Sequence, residues 1–336
     1  MKLRGAISGF GEVAARGHLP LWLTHNDIGI VAIHEPMPTR RQLAMGMLKS
    51  ARIYDDLGIL LDGEAPDFVD IASPPLFHTG AIRAALEAGA HVLCEKPLCL
   101  NLAEFDELKR LADVQARILM CVHNWKHAPA FEVARHTLAS GRLGALRFIS
   151  IDRLRTEPAG GAGKWRSETA SGGGILVDHG WHAFYLAQWL MADAPVAVSA
   201  SLSRHPGTDL DDLADIRLSF PHDRWVRVHL SWRAPVRRTS TMLYGDKGML
   251  EIEGERVILT ERSGHVEDLS VADAPDDSYH SAWFGKVADD FIRAIAEGAG
   301  SPVAARNLLE ARTALCLIVA ARESALTGGT SVPLPR

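Results

Sequence analysis

Asp178 and His182 stand four residues apart, a spacing that puts both on one face of a helix. A carboxylate there can orient the imidazole and stabilise its protonated form. Histidine, with a reference pKa of about 6.5, suits the removal of a proton from an alcohol at neutral pH. Lys96 is followed by Pro97, which denies the lysine a helical backbone and holds its side chain at a strand-to-loop corner. An ammonium in that position can hydrogen-bond an alcohol oxygen and stabilise developing alkoxide charge. A base, an orienting carboxylate and a cation are the groups needed to take a hydroxyl proton while hydride leaves the same carbon.

A hydride acceptor has its own signature at the N-terminus. Gly9-Phe10-Gly11-Glu12-Val13-Ala14 follows one apolar run and opens a helix. Gly9 allows a tight turn, Gly11 lets the backbone approach a pyrophosphate, and Ala14 is small enough for close helix–strand packing. The helix N-terminus favours the phosphate charge. Glu35 ends the second apolar run, 24 residues beyond Gly11. A carboxylate there can accept hydrogen bonds from ribose hydroxyls and repel a 2′-phosphate. The cofactor expected is therefore NAD, while Arg40 and Arg41 close by leave NADP possible.

The elements that must carry these residues follow from periodicity. Leu3–Ser8, Ile28–His34, Phe68–Ser73, His91–Cys94 and Arg117–Val122 read as buried parallel strands, with helices such as His78–Ala88 and Leu102–Ala112 between them. Beyond Val122 the texture changes. A helix at Pro129–Ser140, a strand at Leu146–Leu154 and a glycine-rich segment precede an apolar helix at Ile175–Met191. From Ala197 to Leu259 strands follow one another without crossover helices, which predicts a mainly antiparallel sheet. Two helices near Trp283–Glu297 and Val303–Leu326 close the chain. The fold expected is α/β: a doubly wound Rossmann domain over residues 1–122, and an α/β domain with an open-faced, mainly antiparallel sheet over residues 123–336.

Composition narrows the classes of function. The 336 residues carry a net charge of −5, which gives no general pull toward nucleic acid or anionic membrane. No apolar stretch approaches the ~20 residues needed to span a bilayer. Cys94, Cys99, Cys121 and Cys316 show no metal-ligand spacing and read as reduced core residues. A cytoplasmic protein without a metal site is expected.

Two longer segments give the chain a family likeness. Ala90-His91-Val92-Leu93-Cys94-Glu95-Lys96-Pro97-Leu98 and Gly172-Gly173-Gly174-Ile175-Leu176-Val177-Asp178-His179-Gly180-Trp181-His182, with Ala72-Ser73-Pro74-Pro75 through His78, resemble the glucose–fructose oxidoreductase, inositol dehydrogenase and MocA-like family. The resemblance runs nearly end to end and includes the hairpin Tyr244–Gly254. It implies that Lys96, Asp178 and His182 are catalytic, that the Lys96–Pro97 bond is often cis, and that Ser73, Pro74, Pro75, His78 and Glu95 join the glycine loop at the cofactor. It also implies dimers or tetramers formed through the open sheet, which would explain Trp225 and Trp232 in the strands. The reaction implied is hydride transfer to or from a carbinol carbon of a sugar, sugar derivative or polyol. An NAD-retaining glycosidase or lyase, and a non-catalytic nicotinamide sensor, are the alternatives.

One departure bears on substrate. Relatives commonly carry an aspartate three residues after the catalytic histidine, where this chain has Tyr185. A phenol cannot grip vicinal hydroxyls as a carboxylate does. Asn124, Trp125 and Lys126, and around the glycine-rich loop Arg153, Arg155, Lys164, Trp165 and Arg166, are further candidates. An aromatic face and several cations would suit a sugar ring bearing an acid, phosphate or nucleotide. Gly180 is expected to clear room for nicotinamide or substrate, and His179 and His280 are weaker site candidates.

Overall fold

A computed structural model describes residues 2–158, 165–168, 171–205, 207–273 and 279–335. The chain divides into two compact units, residues 1–124 with 276–312, and residues 125–275 with 313–336.

The first unit is built on six parallel strands: β1 (Leu3–Ser8), β2 (Ile28–His34), β3 (Arg52–Tyr54), β4 (Phe68–Ile71), β5 (His91–Cys94) and β6 (Leu119–Cys121). Their order is β3-β2-β1-β4-β5-β6, so the direction of winding reverses between β1 and β4. In such sheets ligands bind beyond the carboxyl ends of the strands at that reversal. The glycine loop, Ser73 and Lys96 follow β1, β4 and β5. The three-residue edge strand β3, with Arg52 exposed, lacks the apolar run that marks its neighbours.

The sequence-based boundary at 122/123 needs one correction. Helix Ser281–Glu297 belongs to the first unit because Phe284, Val287, Ala288 and Phe291 enter the same core as Ile7, Trp22, Phe68 and Leu93. The long helix Pro302–Leu326 begins in this unit too. Its Asn307 side chain brackets the Cys121 backbone, accepting from the N–H at 2.8 Å and donating to the carbonyl at 2.9 Å. Late helices fill a surface of the early sheet, and chain order could not reveal that.

The second unit holds nine strands: β7 (Leu146–Leu154), β8 (Ala197–Arg204), β9 (Asp211–Phe220), β10 (Arg224–Ser231), β11 (Arg238–Gly245), β12 (Gly248–Glu253), β13 (Arg256–Glu261), β14 (Val266–Asp268) and β15 (Val332–Pro333). They lie in the order β14-β13-β12-β11-β7-β10-β9-β8-β15. The β7–β10 pairing is parallel and the other described pairings are antiparallel. Along β7, Ile149, Ile151 and Arg153 are buried and the residues between them are not. On that other face Phe148 stacks between Trp225 (4.0 Å) and Tyr244 (5.0 Å) across adjacent strands. Trp232, expected there as well, is instead buried, with its ring 6.3 Å from that of His179.

Among the described residues no helix is long and apolar enough to cross a membrane. The four cysteines are buried, and burial pushes the Cys99 thiol up to about 12.

Candidate active site

The glycine loop is shaped by contact with the segment after β4. Gly9 has φ +88°, and a Cβ there would stand 2.6 Å from the Ser73 backbone nitrogen, so only glycine fits. The Ser73 hydroxyl is buried beside this contact without a hydrogen-bond partner. An unsatisfied hydroxyl at a glycine turn suits the phosphate and ribose oxygens of a dinucleotide. Glu35 is buried, and its carboxylate accepts from the N–H of Phe10 at 2.7 Å and of Met37 at 2.9 Å. A carboxylate offers about four acceptor positions, so Glu35 retains capacity for ribose hydroxyls. Arg40 Nη1 lies 2.7 Å from where a Cβ on Gly11 would sit. Glu12 is exposed with its carboxylate turned to Arg16 and Tyr279, so its backbone is what the loop offers. Val13 opens a π-helical turn, Val13–His18, where a regular helix was expected.

That turn delivers a histidine which the sequence reading missed. His18 Nδ1 lies 3.0 Å from Asp70 and its Nε2 lies 3.2 Å from Glu95. Trp22 donates to Asp70 at 2.7 Å, and the His18 ring stacks on Phe284 at 3.7 Å. Burial alone would lower the His18 pKa, but Asp70 and then Glu95 outweigh it and raise the pKa to about 9. The imidazolium in turn holds the buried Glu95 carboxyl below its ordinary range. Glu95 also accepts from the Lys96 backbone N–H at 3.0 Å. Lys96 thus leaves β5 at a fixed corner, buried, with a cis bond to Pro97.

His78 was expected to border the cofactor. It is fully buried, with one ring nitrogen 2.7 Å from the Pro97 carbonyl and the other 2.8 Å from the Ser73 carbonyl. Burial lowers its pKa. Its role is to tie together the two loops that follow β4 and β5. Pro74 is exposed and extended, and Pro75 is buried at the head of the short turn Pro75–Phe77. His280, also in the first unit, stacks on Trp283 at 3.6 Å.

In the second unit the glycine run positions the histidine segment. A Cβ on Gly173 would fall within 2.7 Å of the carbonyls of Trp165, Arg166 and Glu168, and one on Gly174 would strike Asp211. The close approach lets the buried Asp211 accept from the Leu176 N–H at 2.7 Å, capping the segment that follows. Leu176–Gly180 is a π-helical turn and Trp181–Met191 a regular helix. Asp178 accepts from Arg166 Nε at 3.2 Å, with His179 at 3.7 Å, and Arg166 lies over the Trp165 ring. His182 Nδ1 shares a 2.8 Å hydrogen bond with the Tyr185 hydroxyl, which also accepts from the Trp125 N–H at 3.0 Å. The Trp125 ring lies 5.4 Å from that of His182, and Lys126 Nζ is 5.8 Å from the Tyr185 ring.

Two expectations change here. Tyr185 has no exposed surface, and its hydroxyl is committed to His182 and Trp125, so it supports the histidine instead of meeting substrate. A Cβ on Gly180 would meet Leu176, Leu230 and Phe184 at 3.3–3.5 Å, so this glycine fits apolar packing and not a ligand. Arg155 is half-buried; burial, then Arg237, lowers its pKa, and Asp178 opposes them. Asn124 is half-buried at the end of the first unit. Lys164 lies outside the described residues.

Two family models match the chain. Residues 3–123 fit the oxidoreductase family NAD-binding Rossmann fold, and residues 131–251 fit the GFO/IDH/MocA C-terminal domain. The chain belongs to the GFO/IDH/MocA oxidoreductase family. Its first unit is accordingly an NAD-binding Rossmann domain. Among relatives in this family, D-glucoside 3-dehydrogenase of Escherichia coli is 26% identical over 297 residues, 83% of this chain and 84% of the relative. The dTDP-3,4-didehydro-2,6-dideoxy-alpha-D-glucose 3-reductase of Streptomyces antibioticus is 27% identical over 308 residues, 89% of this chain and 90% of the relative. A levoglucosan dehydrogenase solved with NADH and levoglucosan shares the GFO/IDH/MocA fold with a TM-score of 0.86 at 21% identity, covering 100% of both chains. An oxidoreductase from Agrobacterium radiobacter, solved with NAD+, L-tartaric acid and magnesium, superposes with a TM-score of 0.85 at 21% identity, over 99% of this chain and 98% of that one.

The residues missed by sequence reading are His18, Asp70 and Asp211. His18 lies nine residues past Gly9 in a polar-looking helix start, and nothing local announces that Asp70 and Glu95 converge on it. Asp70 did carry a signal: a lone carboxylate inside an apolar parallel strand must find a buried partner.

Proposed function

We propose that this oxidoreductase moves a hydride between the nicotinamide ring and a carbinol carbon of a sugar, sugar derivative or polyol. NAD, when bound in the first unit, supplies the hydride acceptor. The side chains of the chain do the rest. His182 takes the hydroxyl proton through Nε2, because Nδ1 is held by Tyr185. Lys96 donates to the same oxygen and balances alkoxide charge as the proton leaves. Asp178, anchored by Arg166, offsets the positive charge that His182 gains.

The observation that carries this reading is the 2.8 Å bond that fixes a buried imidazole by one nitrogen, in a family whose N-terminal domain binds NAD. The relatives that oxidise or reduce a sugar at one carbon support the substrate class. Glu35 favours NAD over NADP. The stacked Phe148, Trp225 and Tyr244 face is the surface we assign to self-association, which sedimentation of a Trp225→Glu variant would check.

The test is a turnover screen with NAD and a panel of sugars, sugar acids, polyols and nucleotide sugars, and with NADH and the matching keto compounds. Reduction of NAD in step with keto-product is the expected result. Product formed at trace NAD without NADH accumulating would assign a glycosidase or lyase instead. NADH bound tightly with no turnover of any compound would point to a sensor.

A further inference from the structure

Arg153 is the one core-facing cation in an otherwise apolar row. It continues the buried face of β7 after Ile149 and Ile151 and is 2% exposed. Its Nη1 is anchored by the carbonyls of Asp152 at 3.0 Å and Ser240 at 3.2 Å and by the Thr241 hydroxyl at 3.4 Å. Nε and Nη2 are buried and have no partner. These two form the side-on edge of the guanidinium, whose parallel N–H groups match the two oxygens of a carboxylate.

No carboxylate of the described chain meets that edge. Asp152, adjacent in sequence, points to the opposite face of the sheet, with Arg227 at 4.0 Å and the Ser240 hydroxyl at 3.5 Å. The guanidinium instead lies 4.9 Å from the centre of the Trp125 ring, the ring next to His182. Arg155, two residues on along the same face, adds a second cation whose field reaches Asp178 and Arg153. Arg155 thus works against the charge on Arg153, and the nearby Asp178 carboxylate is engaged by Arg166. An uncompensated buried cation costs several kcal/mol, a cost that one anionic partner would offset.

We infer that Arg153 is a specificity residue whose Nε–Nη2 edge binds a carboxylate carried by the substrate, so that the alcohol oxidised belongs to a sugar acid. This deepens the oxidoreductase reading and rests on it. Both nitrogens lie beneath the surface, packed beside the Trp125 and Phe131 rings, so binding a carboxylate there requires side chains over that edge to shift.

The test uses the full chain saturated with NADH and titrated calorimetrically with matched acid and neutral pairs: D-glucuronate with D-glucose, D-galacturonate with D-galactose, and D-gluconate with D-glucitol. The expected result is at least one acid bound tenfold or more tightly than its neutral partner. Arg153→Lys, which keeps charge but loses the fork, should cut that preference severalfold, and Arg153→Met should abolish it, both with NADH affinity unchanged. The wild-type ratio stands even if Arg153→Met does not fold. The inference is overturned if no acid outbinds its partner, if the preference survives in both variants, or if D-glucose 6-phosphate binds more tightly than any carboxylate. Failure of the wild-type chain to bind NADH would sink the underlying oxidoreductase reading instead, a separate outcome.

Discussion

The two candidate regions are made in different ways. In the NAD-binding unit the loops after β1, β4 and β5 hold one another by backbone contact: Gly9 against Ser73, His78 on two carbonyls, Glu95 on the Lys96 N–H. In the second unit the candidate side chains sit on one helical segment, and remote side chains set their orientation: Arg166 on Asp178, Tyr185 and Trp125 around His182, Asp211 at the start. Backbone-made sites demand particular residue types at fixed positions. Partner-made sites tolerate exchange, because another side chain able to hydrogen-bond His182 could stand where Tyr185 does.

Substitutions can break this contrast, the largest effect first. Lys96→Ala should lower kcat about 100-fold or more, the scale of losing one oxyanion donor, with NADH affinity nearly unchanged. Steady-state kinetics beside a fluorescence titration with NADH would check it; wild-type rates would remove Lys96 from the chemistry.

Gly9→Ala probes the backbone-made side. A β-carbon 2.6 Å from Ser73 at φ +88° should cost on the order of 1–3 kcal/mol and abolish measurable NADH binding. Unaltered binding would show that the loop is not the nucleotide site. Tyr185→Phe probes the partner-made side. It removes the hydroxyl from His182 and leaves the Trp125 N–H unsatisfied, at about 1–2 kcal/mol of stability. Its kcat should fall about tenfold and the acid limb of its pH profile should move, whereas a purely structural tyrosine would shift only thermal stability.

His18 gives the pH dependence. Its pKa is raised to about 9 in the folded chain from about 6.5, so folding favours the protonated ring. The stabilisation is fully present below pH 6.5, declines as pH rises, and is gone above about 9. Urea unfolding of the wild type should lose stability across that window, while His18→Gln should start lower and vary less. Parallel curves would place the titration elsewhere.

The smallest effect concerns the cofactor. Glu35→Ser should raise the NADPH to NADH affinity ratio about tenfold, since Arg40 already lies over Gly11. An unchanged ratio would show that Glu35 serves only the Phe10 and Met37 N–H groups.

Much of this was legible in the sequence. The parallel strands read directly because they are largely buried and their runs are mostly apolar, and the Leu146–Leu154 strand agrees to the residue. The three-residue β3 was not legible, because Arg52-Ile53-Tyr54 is too short to show a period. Glu35 and the glycine loop were readable, because spacing along one strand–turn–helix fixes their geometry. His18 was not, since its partners lie 52 and 77 residues away.

By itself, then, the sequence determined the apolar runs that become parallel strands, the glycine turn after β1 and the spacing of Asp178 and His182 along one helical segment. Each depends on local spacing, which backbone geometry converts directly into position. Only the tertiary structure decided that Tyr185 holds His182, that Gly180 serves packing, that helix Ser281–Glu297 joins the first core, and that Arg153 keeps an unpaired edge. These are properties of burial and of partners distant in the chain, where the cost of an unsatisfied buried group or charge selects which side chains meet.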